Sequence, residues 1–555
     1  MQDLKTRPGA SGSSRILTYA EARRHKASAR SRWRDVAEEL DTELWPKLSP
    51  SFRLRPGQTV FTIGSCFARN IEANLEALGC KVPMLGLSLP PDEFDGPANA
   101  AMNKFHPPAF RQSLEWTARI HDRDGVVRWE DCEPIAFDTG DGRYFDLDMA
   151  ATVTPATRER FIARRQHVYD VFSTVFRADC LMITPGLIEA WRDLETGLYT
   201  YGPPYERRML ATPERWVLEI LSYPRCVEDL LAAIDVVRQR NPEVNILVTT
   251  SPVPLTRTFT DRDVTVANAH SKAVLRAVCD VVLLERERID YFPSYEMATL
   301  SNPAIAWKRD RLHVTQAFIG KIVGYMLDNY FEGVEAASAQ YLRARTLLAE
   351  GHALEAEAAA LAALAVRPGH ADARILLGRA LMAQQRWGEA VDVLAAALEA
   401  DPERADAKAQ MANALAGSGL PEQAVQTALD TMSLGSFTVS VLLSLDPMLR
   451  RVSPAAAAQI GRRAVELLPR HVETYERLVD ALFRGDDVDE AIAVLRQVAA
   501  LRHPPADLLA RLAQTLMERG EIAEAQVHAK AALARDPRNK QALALRGLLG
   551  DPAAA

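Results

Sequence analysis

The sequence predicts an α/β domain followed by an all-α array of helical repeats, and three observations support this prediction. The chain has 555 residues, which is too long for one hydrophobic core, so two or three domains are expected. Apolar, strand-like runs alternate with helical patterns in the front part of the chain, as is typical of a parallel sheet with helices on both faces. The C-terminal third is rich in Ala and Leu and repeats with a fixed period.

Composition and charge favour an ordinary globular protein. Hydrophobic residues make up 48% of the chain and charged residues 25%, and the net charge of −7 indicates no particular partner. The six cysteines show no paired spacing, so we expect reduced thiols and neither disulfides nor a zinc site. Because neither a signal peptide nor an uncharged apolar run of membrane-spanning length is found, we expect a cytoplasmic protein without a membrane span.

Residues 1–49 are predicted to form a basic N-terminal extension. The first 34 residues carry nine Lys or Arg against Asp3 and Glu21. Such an arm can contact an anionic surface, but it is more often a solvated and partly helical segment.

Three apolar runs predict parallel strands in residues 50–333, at 59–64, 179–186 and 244–254. Active sites in this architecture lie beyond the carboxyl ends of the strands. Ser65, Gly186 and Ser251 follow these ends, so we expect the three segments to converge on one rim of the sheet.

Ser65 lies in "TIGSCFA", between the first predicted strand and an amphipathic helix that ends at Gly79. The helix is predicted from an apolar stripe, Phe67, Ile71, Leu75 and Leu78. Two interpretations are open. Ser65 caps the helix, or it is a nucleophile whose oxyanion is stabilised by the free N–H groups and the dipole of the helix N-terminus.

Asp310 and His313 supply what a nucleophilic serine needs. They are three residues apart in "DRLHVT", just before a predicted helix, and a carboxylate at that spacing can orient an imidazole that takes the serine proton. No phosphate-binding glycine motif, metal-binding motif or basic–aromatic pattern is found, so no cofactor, metal or nucleic acid is expected.

Six ordered blocks identify residues 45–330 as a member of the GSCFA family, whose members resemble the SGNH, or GDSL-type, serine esterases. The blocks are "FTIGSCFARNI", "TPGLIEAWRD", "TSPVPLTRTF", "NAHSKAVLRA", "YFPSYEM" and "DRLHVT". The resemblance implies an SGNH-hydrolase-like fold, with Ser65 as nucleophile, His313 as base and Asp310 as the residue that orients it.

One element of the esterase pattern is missing. The esterases have a G-x-N-D block whose asparagine donates to the oxyanion, whereas this chain has Gly186 and, three residues later, Glu189. Asn103 is a candidate substitute, the backbone N–H groups of Cys66 and Gly186 are candidate further donors, and Glu189 is a candidate substrate contact. His106 is a weaker candidate for substrate contact.

The C-terminal repeats resemble tetratricopeptide repeats. Small residues recur at spacings of 33 or 34, at Ala356, Ala390, Ala424, Ala457, Ala491 and Ala525, and prolines close equivalent units at Pro368, Pro402 and Pro537. Six helix–turn–helix units are predicted, with a C-terminal capping helix, in a domain covering 335–555. Close helix crossing requires a small side chain at Gly378 and at Ala390. Such a stack presents a concave face to a protein partner.

Together these observations predict a serine acyl-ester hydrolase, or an acyltransferase, that acts on an esterified carbohydrate or similar small molecule, with repeats that recruit a protein. The alternative is a catalytically silent, SGNH-like binding module that acts mainly as a scaffold. The missing asparagine favours this alternative, whereas the presence of Ser65, Asp310 and His313 favours the enzyme.

Overall fold

The computed structural model describes most of the chain and divides it into two compact units. The described residues are 6–9, 12–15, 17–26, 30–90, 92–94, 98–333, 336–432, 434, 439–467, 469, 471–501 and 504–549. The first unit comprises residues 1–89 and 96–352, and the second comprises 353–555 together with 90–95.

All the described strands belong to the first unit. They are β1 (Thr6–Gly9), β2 (Gly12–Arg15), β3 (Val60–Gly64), β4 (Ala136–Asp138), β5 (Tyr144–Asp146), β6 (Cys180–Thr184), β7 (Glu189–Asp193), β8 (Trp216–Ile220), β9 (Asn245–Val248) and β10 (Ile289–Tyr291).

The helices of the first unit precede, separate and follow these strands. They are α1 (Tyr19–Lys26), α2 (Ala37–Leu40), α3 (Cys66–Ala77), α4 (Pro107–Arg123), α5 (Trp129–Cys132), α6 (Arg158–Phe172), α7 (Arg207–Leu210), α8 (Tyr223–Arg238), α9 (Val264–Glu285), α10 (Ser294–Leu300), α11 (Pro303–Ala306), α12 (Gln316–Tyr330) and α13 (Ala336–Ala349).

The main sheet has four parallel strands in the order β10-β9-β6-β3. Its register pairs Val60 with Cys180 and Gly64 with Thr184. The strands β3, β6 and β9 are the three predicted apolar runs. The short strand β10 was not predicted, and neither were the antiparallel pairs β4–β5 and β7–β8.

Helices cover both faces of this sheet, as predicted. Val60 lies in a core cluster with Phe67 of α3 and Phe318 of α12. Its neighbour Phe61 contacts Phe172 of α6, with 5.5 Å between ring centroids. Because successive strand residues point to opposite faces, α3 and α12 lie on one side and α6 on the other.

The apolar stripe predicted for α3 is buried, and the helix ends at Gly79, as predicted. Phe67, Ile71, Leu75 and Leu78 are all buried in the core cluster. Gly79 has φ of +83°, a conformation that side chains disfavour, so it stops the helix.

The helix α13 belongs to the first unit by its contacts. Its Leu342 lies in the same core cluster as α3 and α12. A side chain at Gly320 of α12 would meet Thr346, so the two helices cross closely there. The predicted boundary at 333–335 stays a prediction, and the division by contacts falls after residue 352.

The second unit is a helical solenoid. Its helices are α14 (Ala353–Val366), α15 (Ala371–Ala383), α16 (Trp387–Ala400), α17 (Ala405–Gly417), α18 (Pro421–Thr431), α19 (Val439–Val452), α20 (Pro454–Leu467), α21 (Val472–Arg484), α22 (Val488–Ala499), α23 (Ala506–Glu518), α24 (Ile522–Arg535) and α25 (Lys540–Leu549). The period of the sequence therefore corresponds to successive helix pairs, and α25 takes the place of the predicted capping helix.

The small residues of the repeats are buried at the helix crossings. Ala390 is fully buried. A Cβ atom at Gly378 of α15 would lie 2.8 Å from Cγ of Leu394 in α16. The interpretation of Gly378 as a close-crossing position is therefore confirmed.

None of the helices in the described part of the chain is long and apolar enough to cross a membrane.

The crossing at Gly378 predicts a measurable stability difference in a fragment covering residues 353–555. Gly378→Val should lower the free energy of unfolding by about 1–3 kcal/mol, because the added methyl groups overlap Leu394. The measurement is urea unfolding followed by circular dichroism at 222 nm, a standard helix wavelength.

The matched control is Gly388→Val in α16, where an added Cβ meets open space. We expect this variant to stay within about 0.5 kcal/mol of the parent fragment. Equal losses in both variants would contradict the crossing. A coil-like spectrum of the parent fragment would show that this unit does not fold alone.

Candidate active site

Ser65 lies at the carboxyl end of β3 and is the N-cap residue of α3. Its Oγ accepts a long hydrogen bond of 3.4 Å from the Phe67 N–H, so the predicted capping role is present. The same Oγ donates a shorter hydrogen bond of 2.9 Å to Oγ of Ser251. The side chain is almost fully buried, with 3% of the residue exposed. The better hydrogen bond of Ser65 is thus directed at the end of another strand, and not into the helix.

The ends of β3, β6 and β9 meet around Ser65, as the sequence predicted. The Ser65 N–H donates to the Thr184 carbonyl over 3.1 Å, and the Ser251 N–H donates to the Pro185 carbonyl over 2.9 Å. A Cβ atom at Gly186 would lie 3.4 Å from Cβ of Ser65 and 3.8 Å from that of Ser251. A side chain at Gly186 would therefore pack against both serines.

The Gly186 N–H does not point to an oxyanion site in this conformation. It donates to the Phe105 carbonyl over 2.7 Å, and the Leu187 N–H donates to the same carbonyl over 3.1 Å. As a result, the Gly186 N–H that was predicted as an oxyanion donor already has a protein acceptor. The sequence could not indicate this, because the acceptor comes from a distant segment.

Asp310 and His313 form the hydrogen-bonded pair that their spacing predicts. Oδ2 of Asp310 accepts from Nδ1 of His313 over 2.7 Å. Oδ1 of Asp310 accepts from the N–H groups of Leu312 at 2.9 Å and His313 at 3.1 Å. The turn passes through Arg311, whose φ is +57°. The Asp310 carboxylate thus stabilises the turn through Oδ1 and orients the His313 ring through Oδ2.

The charge of Asp310 is stabilised by these hydrogen bonds. The bond from His313, together with the two backbone N–H groups, lowers the pKa of Asp310 to about 2. The pair is open to solvent, since 60% of the His313 side chain and 42% of the Asp310 side chain are exposed. An ionised partner is therefore held on Nδ1 at any ordinary pH, so Nε2 is the nitrogen left to take a proton.

No described hydrogen bond connects the Ser65–Ser251 pair with the Asp310–His313 pair. Ser65 bonds to Ser251 and Phe67, and His313 bonds to Asp310 through its ring, with no bond between Ser65 and His313 among the described contacts. The structure brings Ser65 together with Ser251, and Asp310 together with His313, and shows no direct bond between Ser65 and His313 among the described residues.

Asn103 is buried beside the start of this site, with its amide held in one orientation. Its Oδ1 accepts a 3.1 Å hydrogen bond from Nε of Arg69, and the next residue, Lys104, donates its N–H to the Gly64 carbonyl over 2.9 Å. Because a guanidinium has only donors, the amide oxygen must face Arg69 and the amide nitrogen must face away. No hydrogen bond from Nδ2 of Asn103 to another described residue is found.

The other candidates for substrate binding have protein partners. The carboxylate of Glu189 accepts from Oγ1 of Thr258 over 2.5 Å and from the N–H of Phe259 over 3.0 Å. The Glu189 carboxylate therefore already holds the loop after β9, and its predicted contact with a substrate stays a prediction. The backbone of Cys66 begins α3, and its side chain lies outside the described residues.

His106 is the N-cap of α4 and is almost fully buried. Burial, reinforced by the charge of Lys104, lowers the pKa of His106 to about 3. The neutral ring accepts from the Ala109 N–H through Nδ1 over 3.3 Å. His106 is thus a helix cap in this structure rather than an exposed substrate contact.

Lys272, a buried lysine in α9, has a structural role that the sequence did not predict. Its Nζ donates to the Gly186 carbonyl over 2.6 Å and to the Val253 carbonyl over 2.7 Å. The ammonium group therefore joins the loops after β6 and β9. The only indication in the sequence is a lysine within an apolar helix, and this pattern is not specific.

Comparisons with known proteins agree with the two-part organisation. The GSCFA family matches residues 59–325, and two tetratricopeptide repeat families match residues 341–405 and 381–431. No curated protein matches the chain.

Solved structures similar to this chain are tetratricopeptide repeat proteins of low identity. The C-terminal part of a repeat protein from Cytophaga hutchinsonii is 18% identical, with 41% of this chain and 93% of that chain covered and a TM-score of 0.31. PilF of Pseudomonas aeruginosa is 17% identical, with coverages of 39% and 98% and a TM-score of 0.28. YrrB, described as a repeat protein with an unusual peptide-binding site, is 20% identical, with coverages of 34% and 97% and a TM-score of 0.27.

The chain therefore carries a GSCFA family domain, at residues 59–325, followed by tetratricopeptide repeats.

Proposed function

We propose that the GSCFA domain is an acyl-ester hydrolase, or an acyltransferase of the same mechanism, that acts on an esterified carbohydrate or a similar small molecule. The repeats are proposed to recruit a protein partner on their concave face. The observation that carries the proposal is the 2.7 Å hydrogen bond between Asp310 and Nδ1 of His313. An imidazole held in this tautomer can take a proton from a serine hydroxyl, and Ser65 lies at a strand end of the same unit.

In the first step, Oγ of Ser65 forms a bond to the acyl carbon and passes its proton to Nε2 of His313. The carbonyl π electrons move onto oxygen and give an oxyanion. When this intermediate collapses, the ester bond to the alcohol breaks, the alcohol takes the proton from His313, and an acyl-enzyme remains. Water repeats the sequence in hydrolysis, and a second alcohol repeats it in transfer.

Asn103 is proposed to donate to the oxyanion in place of the missing asparagine of the esterase pattern. The orientation that Arg69 imposes leaves the Asn103 Nδ2 group available. The N-terminus of α3 adds the positive end of its dipole. Ser251 is proposed to position Ser65, because its hydroxyl accepts the resting hydrogen bond of the nucleophile.

A second candidate function is a silent binding module that serves as a scaffold through its repeats. The observation that favours it is the lack of a direct hydrogen bond between Ser65 and His313. The experiments below distinguish the two functions, since a silent module has no turnover to lose.

Labelling with a fluorophosphonate probe should depend on Ser65 and not on its neighbour. Ser65→Ala should abolish labelling, because the hydroxyl that bonds to Ser251 is the proposed nucleophile. Cys66→Ala is the matched control and should largely retain labelling. Labelling that follows Cys66 instead would reverse the assignment, and no labelling of the wild-type protein would favour the scaffold.

Asp310→Asn should lower kcat on a simple acyl ester by about a hundredfold or more, because the imidazole loses the partner that fixes its tautomer. The pH range in which Asp310 is ionised follows from its lowered pKa, which is about 2 in the folded chain against an ordinary value of about 3.9. The Asp310 carboxyl is fully ionised above the ordinary value and loses its charge only as the pH falls towards 2.

Titration of Asp310 therefore contributes nothing to a pH profile measured between about pH 5 and about pH 9. Asp310→Asn should therefore remove no limb from the profile in this range. A limb that disappears in the variant would show that Asp310 itself titrates in this range. Thermal stability should be almost unchanged, since the pair is exposed.

The proposed roles of Asn103 and Ser251 predict losses of different size. Asn103→Ala should lower kcat by about a hundredfold or more with little change in KM, because an oxyanion donor acts only in the transition state. Ser251→Ala should lower kcat by about tenfold or less, because a positioning hydroxyl contributes one hydrogen bond.

Ser294→Ala provides the matched control for Ser251. Ser294 is also buried, and its hydroxyl bonds to Thr249 of the segment that follows β9. Its removal should leave kcat unchanged within about twofold. Equal losses in the Ser251 and Ser294 variants would indicate a general loosening of this segment, and full activity of Asn103→Ala would refute its role as donor.

A further inference from the structure

Residues 17–34, the basic segment, are positively charged in an otherwise acidic protein. The first 34 residues carry nine Lys or Arg against two carboxylates, which is a net charge of +7. The other 521 residues carry 57 Lys or Arg against 71 carboxylates, which is a net charge of −14. Within the basic segment, six Lys or Arg occur with Glu21 as the single acidic residue. The charge of this segment is therefore opposite to that of the rest of the chain.

Three arginines of the basic segment have no carboxylate partner among the described residues. Arg23, Arg24 and Arg32 are exposed and form no ion pair with any of these residues, whereas Arg30 pairs with Glu39. Surface charges farther apart than about 8 Å are largely screened at physiological ionic strength, so the acidic remainder of the chain does not cancel this local charge. An anionic partner therefore finds three guanidinium groups to bind.

The same segment exposes three large apolar side chains. Leu17 is 42% exposed, Tyr19 is 78% exposed and Trp33 is 70% exposed. Tyr and Trp are enriched where one end of the side chain meets an apolar phase and the other meets water, as at the boundary between lipid headgroups and acyl chains. A partner that presents both anionic groups and an apolar layer would contact the arginines and these side chains together.

The exposure of Trp33 is not the result of an unattached chain. Nη2 of Arg30 donates to Oε2 of Glu39 over 2.9 Å, so the residues on the two sides of Trp33 are joined. Oε2 of Glu39 also accepts from the N–H of Trp45 over 3.4 Å, and the ring of Trp45 stacks on Phe318 of α12 with 5.8 Å between ring centroids. The fold therefore fastens this part of the chain to the first unit and leaves the indole outside.

A lipid surface fits these side chains better than a nucleic acid does. Single-strand binders stack successive bases on aromatic side chains along a positively charged groove. Tyr19 and Trp33 are 14 positions apart in the chain, and Leu17 has no aromatic face for a base. In contrast, acyl chains accept an aliphatic side chain, and clusters of about four to eight Lys or Arg on a surface segment are typical of binding to anionic lipids.

We infer that the basic segment binds the surface of an anionic lipid bilayer, with its arginines at the headgroups and Trp33 at the boundary with the acyl chains. Electrostatic attraction and buried apolar area add in such peripheral binding. The inference does not depend on the proposed esterase, because no candidate catalytic residue lies in the basic segment and the test measures binding alone.

The test is cosedimentation of the full-length protein with vesicles of phosphatidylcholine alone and with vesicles of equal parts phosphatidylcholine and phosphatidylglycerol. We expect binding to the anionic vesicles only, and weaker binding as the salt concentration rises. Arg23→Gln combined with Arg24→Gln should weaken this binding by about 25-fold, because each basic residue near anionic lipid contributes about fivefold. Trp33→Ala should weaken it by about tenfold through the loss of buried apolar area.

The matched controls change the same properties outside the basic segment. Arg538→Gln combined with Lys540→Gln changes the net charge equally, at two exposed residues of the second unit. Leu354→Ala removes an apolar side chain that is 69% exposed on α14. Both controls should bind like the wild type. All of the substituted side chains are exposed, so every variant should keep the circular dichroism spectrum of the wild type.

Four results would overturn the inference. They are no binding to anionic vesicles, equal binding to vesicles of phosphatidylcholine alone, an equal loss in the charge control, and binding that Trp33→Ala does not weaken. Gel-shift assays with single- and double-stranded nucleic acid test the other class of anionic partner. Nucleic-acid binding that is lost in the Arg23, Arg24 and Trp33 variants, without binding to vesicles, would assign the basic segment to nucleic acid.

Discussion

The close approach of β3 to β6 at Gly64 determines the geometry of the whole rim. A Cβ atom at Gly64 would lie 2.7 Å from both Cβ and the carbonyl oxygen of Thr184, a distance that real side chains do not adopt. Because residue 64 is glycine, the Ser65 N–H can reach the Thr184 carbonyl at 3.1 Å. The serine hydroxyl then falls within bonding distance of Ser251. Any larger residue at position 64 would separate the strands and carry Ser65 away from that partner.

A buried polar network supports this arrangement from behind. Glu72 of α3 is fully buried and accepts hydrogen bonds from Thr62, Arg69 and Asn99. Burial raises the pKa of Glu72, and the bonds to its carboxylate oppose this rise. Loss of one member of such a network typically costs about 3–5 kcal/mol, because a charge is left buried without its partner. The network joins β3 and α3 to the segment that carries Asn103, so the orientation of the candidate donor depends on it.

The spacing of apolar residues predicted the main strands, the helix α3 and the helical repeats. The strands β3, β6 and β9, the stripe of α3 and the helix pairs of the solenoid were read from apolar spacing, and the turn at Asp310 and His313 from a three-residue separation. The strand β10 was missed because three residues are too few to show a period. The helix α13 follows the repeat period, yet Leu342 joins the core of the first unit, since α12 provides the apolar surface next to it.

The features that escaped prediction join segments distant in sequence. The Phe105 carbonyl takes the N–H groups of Gly186 and Leu187 because residues 103–105 run beside the ends of β3 and β6. The partner of Ser65 is Ser251, 186 residues away, and no local pattern marks that contact. The sequence therefore predicted which segments meet at the rim and could not predict which atoms bond there.

The resting hydrogen bond between Ser65 and Ser251 is compatible with catalysis by His313. A serine hydroxyl rotates freely about its C–O bond, and exchanging one neutral acceptor for another changes the free energy by about 1 kcal/mol. The barrier of ester hydrolysis is many times larger, so this exchange costs little on the path to the transition state. The His313 side chain is 60% exposed, and its described ring hydrogen bond is to Asp310, so no described buried contact holds the ring away from the rim. Catalytic hydrogen bonds are often long or poorly aligned before a substrate is bound and tighten in its complex. The lack of a described hydrogen bond between Ser65 and His313 is therefore compatible with the proposed enzyme as well as with the scaffold.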